Sequence, residues 1–163
     1  PERAQPYRWE DDKMVRDGYV SGGFGSGGLI LSVRDFTAFA RALQGERLMT
    51  AALRDVAWSA GKLADGQDTR AALMTDSDSY GCGWILTRFE GRRLLAHGGG
   101  IQGFSAYLFH FPEDELTLAV VANVKARDDG AAPVDPLARR LAEHLLRELP
   151  APAALAPPEA KTK

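Results

Sequence analysis

The chain has little of what several functional classes need. A single cysteine, Cys82, stands in 163 residues, so no intrachain disulfide can form and the fold must rest on its core. Its flanks, Gly81-Cys82-Gly83-Trp84, look like the start of a buried strand, and Cys82 is expected to be a small core residue, not a nucleophile. Acidic and basic residues nearly cancel, 22 against 20, with no run of like charge. The electrostatic footprint of a nucleic-acid binder is missing, and no such partner is expected. No stretch approaches the ~20 apolar residues of a transmembrane helix. Pro1-Glu2-Arg3-Ala4 leads into polar sequence without the apolar h-region of a signal peptide, which leaves the compartment, exported or cytoplasmic, open. The three histidines, His97, His110 and His144, lack metal-ligand spacing and clustered acids. Asp76 and Asp78 resemble the opening of a calcium loop, but its twelfth position is Thr87 and not Glu. No metal and no other cofactor is expected.

What is present is an ordinary globular composition, 45% hydrophobic and 26% charged, on a length that suits one domain or a large piece of one. Residues 1–20 read as an irregular or short extended lead-in, and a glycine-dense loop, Ser21 to Gly28, follows. Ser32 with Asp35 has the form of a capping box. Val33, Phe36, Phe39, Ala40 and Leu43 then recur at helical spacing up to Gly45, a natural stop. Thr50 to Trp58 predicts a shorter helix. Gly61 to Ser79 is polar loop, with room for a short helix at Thr69 to Met74. From Tyr80 the period changes. Gly83–Phe89, Arg92–His97, Phe104–Phe111 and Leu116–Val124 predict four strands with short connections, hence antiparallel neighbours. The third carries Tyr107, Phe109 and Phe111 on one side and Phe104, Ala106 and Leu108 on the other, so helices should cover both faces of the sheet. Asp135-Pro136 predicts the start of a final helix, with Leu137, Leu141, Leu145 and Leu149 every four residues up to Pro150. Residues 150–163 read as a tail without a core.

Two short motifs carry little. Gly23-x-Gly25-x-x-Gly28 matches a dinucleotide fingerprint, but no strand precedes it and the next helix starts too late for its N-terminus to meet a pyrophosphate. Ser59-Ala60-Gly61-Lys62 matches S-x-x-K, in which an amine one helical turn away tunes a serine hydroxyl. Gly61 inside the motif weakens the helix the chemistry needs.

The informative segment runs from Tyr80 to Asn123. It reads Tyr80-Gly81-Cys82-Gly83-Trp84, then His97-Gly98-Gly99-Gly100-Ile101-Gln102-Gly103-Phe104-Ser105, then Phe111-Pro112-Glu113, then Ala122-Asn123. A glycine run where one strand pattern ends and the next begins brings backbone N–H groups close to a ligand, since no side chain keeps it away; the plain alternative is a strand end with a glycine bulge. In this order the pieces resemble the C-terminal part of the serine β-lactamase and penicillin-binding-protein-like hydrolases, in their class C and esterase-like branch. Gly27-Gly28-Leu29 followed by the Ser32-capped helix fits as well, so the likeness covers about residues 20–149.

That resemblance implies an α/β (α+β) fold, an antiparallel sheet flanked by helices, with residues before about 75 in or beside the helical lobe. It implies a (Lys/His)-x-Gly strand at His97-Gly98-Gly99. His97 would help bind substrate, the Gly100 N–H would enter the oxyanion hole, and Gly98, Gly99 and Ile101 would line the substrate. The family's Tyr-x-Asn is missing from the chain, and Ser59-x-x-Lys62 falls between the Gly-Gly-Leu and His-x-Gly segments, whereas the family places its S-x-x-K well before both. The expectation is a C-terminal piece of a serine hydrolase acting on a small ester, amide or peptide through an acyl-enzyme. It would be inactive alone and partnered by the upstream half of the same protein, and a second copy could cover exposed sheet edges. The alternatives are a non-catalytic binding or structural domain that keeps the fold, and a complete enzyme using Ser59 and Lys62. His in place of Lys leans toward an esterase or peptidase.

Overall fold

The computed structural model describes residues 3–19, 25, 27–71, 78–125 and 134–150. A five-stranded antiparallel sheet forms its centre, in the order β3 (Ser79–Gly81), β4 (Trp84–Phe89), β5 (Arg92–Ile101), β6 (Phe104–Phe111) and β7 (Leu116–Ala122). Each strand pairs with its sequence neighbour, as short connections dictate, three of them of two residues. Glu90 and Gly91 both take positive φ, the type I′ geometry that matches strand twist. A 3₁₀ turn at Pro112–Asp114 with Glu115 in the left-handed region joins β6 to β7.

Helices cover both faces, as the two-sided hydrophobicity of β6 requires. On one face α3 (Val134–Arg147) sets Val134, Ala138, Ala142 and Leu146 against Leu94, Ala96, Tyr107, Phe109, Phe111 and Val120. Phe109 and Phe111 are fully buried, each worth about 1.5–3 kcal/mol relative to exposure. On the other face α1 (Val33–Gln44) and the end of α2 (Ala51–Ala57) bring Leu43 and Trp58 onto Trp84, Leu95 and Leu108. The Ser32–Asp35 capping box is formed, and Gly45 caps the other end of α1.

Several expectations need correction. The lead-in holds a β-hairpin, β1 (Tyr7–Glu10) with β2 (Lys13–Arg16). Its turn residues Asp11 and Asp12 both have positive φ, and no glycine advertises it. β3 is an additional strand. β5 does not end at His97 but runs to Ile101 without a bulge, because β6 stays in register opposite every glycine. Cys82 is exposed, not core. Gly81 presses against the Ser59 carbonyl and ends β3, so Cys82 and Gly83 form the turn into β4. Asp135 lies within the first turn of α3, which starts at Val134, and bonds Arg139 four residues on. Thr69–Ala71 is extended, with Arg70 bridged to Ser79. The rest of that expected helix, the tail after residue 150 and most of the Ser21–Gly28 loop lie outside the described residues.

Candidate functional site

β5 outruns its neighbour on one side. β4 pairs only with Arg92 to Ala96, whereas β6 pairs with β5 through Ile101. His97 to Ile101 therefore form a strand edge that β4 does not reach. The pairing rules say which groups face it. Arg92 and Phe89 close the Glu90–Gly91 turn, and a pair that closes a two-residue turn exchanges both its N–H···O bonds. Alternation then turns Arg92, Leu94, Ala96, Gly98 and Gly100 toward the β4 side. Counting back from the Gln102–Gly103 turn, closed by Ile101 and Phe104, gives the same parity. The amides of Gly98 and Gly100 thus face the free edge. Neither makes a backbone hydrogen bond outside the ladder among the described residues.

The three glycines differ in what surrounds them. A methyl group at Gly98 would overlap the ring of Tyr107, its cross-strand partner. Among the described residues a methyl at Gly99 would meet nothing within 4 Å, and at Gly100 the Phe104 carbonyl oxygen, at 3.9 Å. Both residues are exposed. Packing explains Gly98, while internal packing asks for no glycine at 99 or 100. What those two achieve is access to the backbone from outside.

His97 is exposed at the near end of this edge. Its Nε2 lies 3.1 Å from the Tyr80 hydroxyl, with the two rings edge-on, 6.1 Å apart. Tyr80 belongs to β3 and is fixed through its backbone: its N–H donates to the Thr69 carbonyl, and its own carbonyl accepts from the Gly61 N–H and the Thr69 hydroxyl. The sequence names Tyr80 within a motif but assigns it no task. Tyr80 lies two strands away from His97, with β4 between them, and local sequence does not announce that its hydroxyl reaches across. Ile101 closes the edge and reaches back toward Gly27.

Beyond the Gln102–Gly103 turn the β1–β2 hairpin clasps the tip. Gly103, with φ of +72°, sits against Pro6, where a side chain would overlap. Tyr7 donates to the Asn123 carbonyl and accepts from the Lys125 N–H, the Asn123 amide donates to the Gln5 carbonyl, and Gln102 Nε2 donates to Asp17 at 2.9 Å. That bond, with help from the Gly18 amide and Arg8, holds the Asp17 carboxyl below its usual range against the opposing effect of burial. Arg8, Asp17, Gln102 and Lys125 line an open depression of about 570 Å³ here.

The other chemistry-bearing residues are occupied elsewhere. The Ser59 hydroxyl donates to the Val56 carbonyl and Lys62 pairs with Asp68, so neither serves the other. His110 is buried between Gln44, Thr117 and the Trp58 ring. Burial, then the charges of Arg54 and Arg93, push its pKa down to about 4. His144 is exposed on α3. Among the described residues no group of three or more His, Cys, Asp or Glu is placed to hold a metal ion, and no helix is long and apolar enough to cross a membrane.

The fold has solved counterparts. One is the octameric penicillin-binding protein homologue from Pyrococcus abyssi, at 21% identity with a TM-score of 0.68. The likeness covers 89% of this chain but only 31% of that one. It establishes the α+β architecture and shows that this chain spans about a third of the length of that structure. No curated protein matches the sequence. The beta-lactamase family model matches residues 1–143, over a segment that contains the capped helix α1, the His97–Ile101 edge and the strands on either side of it, and the chain belongs to the beta-lactamase family.

Proposed function

We propose that this chain is the C-terminal part of a serine hydrolase that works through an acyl-enzyme, and that the free edge of β5 forms one wall of its active site. In this role the Gly100 N–H is an oxyanion donor. His97 binds substrate beside it, Gly98 presents its backbone on the same edge, and Gly99 and Ile101, whose amides turn to β6, line the substrate without donating to it. The nucleophilic serine with its lysine and tyrosine would come from upstream sequence. The reaction would be attack by serine on an ester or amide carbonyl, with hydrolysis of the resulting acyl-enzyme by water.

One observation carries this: ladder alternation turns the amide of Gly100 toward a stretch of β5 that β4 does not pair, and it makes no other backbone hydrogen bond among the described residues. Uncovered apolar surface supports the partial-domain reading. Leu29, Ile30, Leu31 and Val33 before and at the start of α1, and Leu53 and Val56 on α2, are exposed, Leu29 by 81%. Apolar side chains exposed to this degree fit a surface that another element covers, and upstream sequence of the same protein is the occupant proposed here.

The test uses a fluorophosphonate probe and an ester substrate. The 163-residue chain should be neither labelled nor active. The chain extended by its upstream coding sequence should be labelled on an upstream serine. Within that longer protein Gly100→Pro removes the N–H at an edge where proline is tolerated, and should lower kcat by about 10²–10³. Labelling of Ser59 in the short chain would favour a complete enzyme built on Ser59 and Lys62. A folded longer protein without any label would favour a binding domain that has kept only the fold.

A further inference from the structure

The pair at the near end of the site says which way His97 works. Tyr80 Oη and His97 Nε2 are 3.1 Å apart, and one proton lies between them. Either the phenol donates and His97 carries its own proton on Nδ1, or the imidazole donates and the proton is on Nε2. A phenol is a better donor than a neutral imidazole N–H. An imine nitrogen is a better acceptor than a phenol oxygen. The first arrangement is therefore favoured on chemistry alone. The rings meet edge-on at 61°, which brings the hydroxyl to the rim of the imidazole, where Nε2 can bond it in either arrangement, so donor and acceptor strength decide between the two.

Both partners are held in place. Tyr80 is pinned by three hydrogen bonds to its backbone groups, from or to Gly61 and Thr69, and the next residue, Gly81, is wedged against the Ser59 carbonyl. His97 sits in unbroken ladder opposite Leu108. Among the described residues Nδ1 has no hydrogen-bond partner.

We propose that the Tyr80 hydroxyl holds neutral His97 as the Nδ1–H tautomer, so that His97 serves the site as a hydrogen-bond donor and not as a proton acceptor. The inference rests on the proposed site for its functional meaning. It narrows the substrate: the group that meets His97 is itself an acceptor, a carbonyl or carboxylate oxygen, and not an amine or a hydroxyl awaiting deprotonation. Tyr80 is then a positioning residue that acts through His97.

Nitrogen-15 NMR of the imidazole rings in the 163-residue chain tests this without any catalysis. At about pH 8.5, between the ordinary imidazole and phenol values, His97 Nε2 should resonate as an imine nitrogen and Nδ1 as a protonated one. Tyr80→Phe removes the donor and should move Nε2 to the protonated type in most molecules, as in free imidazole, while exposed His144 stays unchanged. Nε2 predominantly protonated in the unaltered chain would overturn the proposal, and so would a His97 spectrum that ignores Tyr80→Phe. If the variant fails to fold, the unaltered spectrum alone decides. This result is separate from the enzymatic one. A wrong tautomer leaves the Gly100 oxyanion donor standing, and an inactive longer protein leaves the tautomer measurement valid.

Discussion

Adding one methyl group at Gly98 and one at Gly99 should have opposite consequences, although the two residues are adjacent. At Gly98 the new Cβ would overlap the Tyr107 ring. That ring is 8% exposed and packs edge-on against Phe109 at 5.4 Å, so it cannot swing aside without opening the α3 face of the core. Overpacking of this type costs about 1–3 kcal/mol. At Gly99 nothing lies within 4 Å and φ is outside the left-handed region. Alanine there restricts the unfolded chain at no folded-state cost and should stabilise by about 0.4–1 kcal/mol. The two variants should therefore differ by roughly 1.4–4 kcal/mol, or on the order of 3–15 °C in Tm for a chain of this size. Urea and thermal unfolding followed by circular dichroism measure this directly. A double variant, Gly98→Ala with Tyr107→Ala, should be less destabilised than the sum of its parts, because each change relieves the other. In the longer protein proposed above the sign reverses for function: Gly99→Ala should keep the fold and lower kcat/KM by filling space along the proposed site. Equal Tm shifts for the two single variants would refute the division of the glycine run into a packing residue and access residues.

Further outcomes follow from the rest of the structure. Gly81→Ala should destabilise at least as much as Gly98→Ala, since its Cβ would meet the backbone oxygen of Ser59, which moves less readily than a ring; comparison of urea midpoints checks this. His110 has its folded pKa depressed to about 4 from an unfolded value near 6.5, so the unfolded state binds the proton first. Its effect is absent above pH ~6.5, and roughly 3 kcal/mol of stability is lost as pH falls toward 4; His110→Gln should flatten that part of the stability–pH curve. Arg92 and Asp114 form a buried ion pair, and Arg92 also donates to the Pro150 carbonyl. Arg92→Leu should cost about 3–5 kcal/mol by stranding the carboxylate, and Asp114→Leu added to it should recover part of the loss in the same unfolding assay. Ser32→Ala should cost about 1 kcal/mol by breaking the α1 capping box.

The elements legible in the sequence are those whose signals were redundant. Helix α1 had period, capping box and terminal glycine in agreement, and its bounds came out within a residue. The strands β4, β6 and β7 alternate or run apolar between recognisable turns. The β1–β2 hairpin was hidden because Asp11-Asp12 takes a type I′ turn without the usual glycine, and because four-residue strands with partly exposed side chains carry almost no pattern. Cys82 misled for a different reason. Its exposure follows from the place where β3 turns back into β4, and the Ser59 carbonyl that leaves no room for a side chain at Gly81, beside that turn, lies more than twenty residues earlier in the chain. Local sequence cannot express such a contact.

Glycine raises the same difficulty at the site. Gly81, Gly98, Gly99, Gly100 and Gly103 are one letter in the sequence, yet they answer four physical demands. Gly81 makes room for a carbonyl, Gly98 for an aromatic ring, and Gly103 for both a positive φ and Pro6, while among the described residues nothing crowds Gly99 or Gly100. The first three explain how β5 can continue past β4 and still be held. Tyr107 packs down onto Gly98, the hairpin turn at Gly103 docks on the N-terminal clasp, and Gly81 packs against the Ser59 carbonyl beside the Cys82–Gly83 turn from which β4 starts. An exposed, straight, unpaired edge is a liability that folds normally blunt with charge, proline or a bulge, and between His97 and Ile101 none of these occurs. The neighbouring glycines thus preserve a hazardous edge at its full length. A fold that leaves such an edge uncovered calls for something that docks there, and the outward amides of Gly98 and Gly100 beside His97 are where we propose that the carbonyl of an acyl group binds.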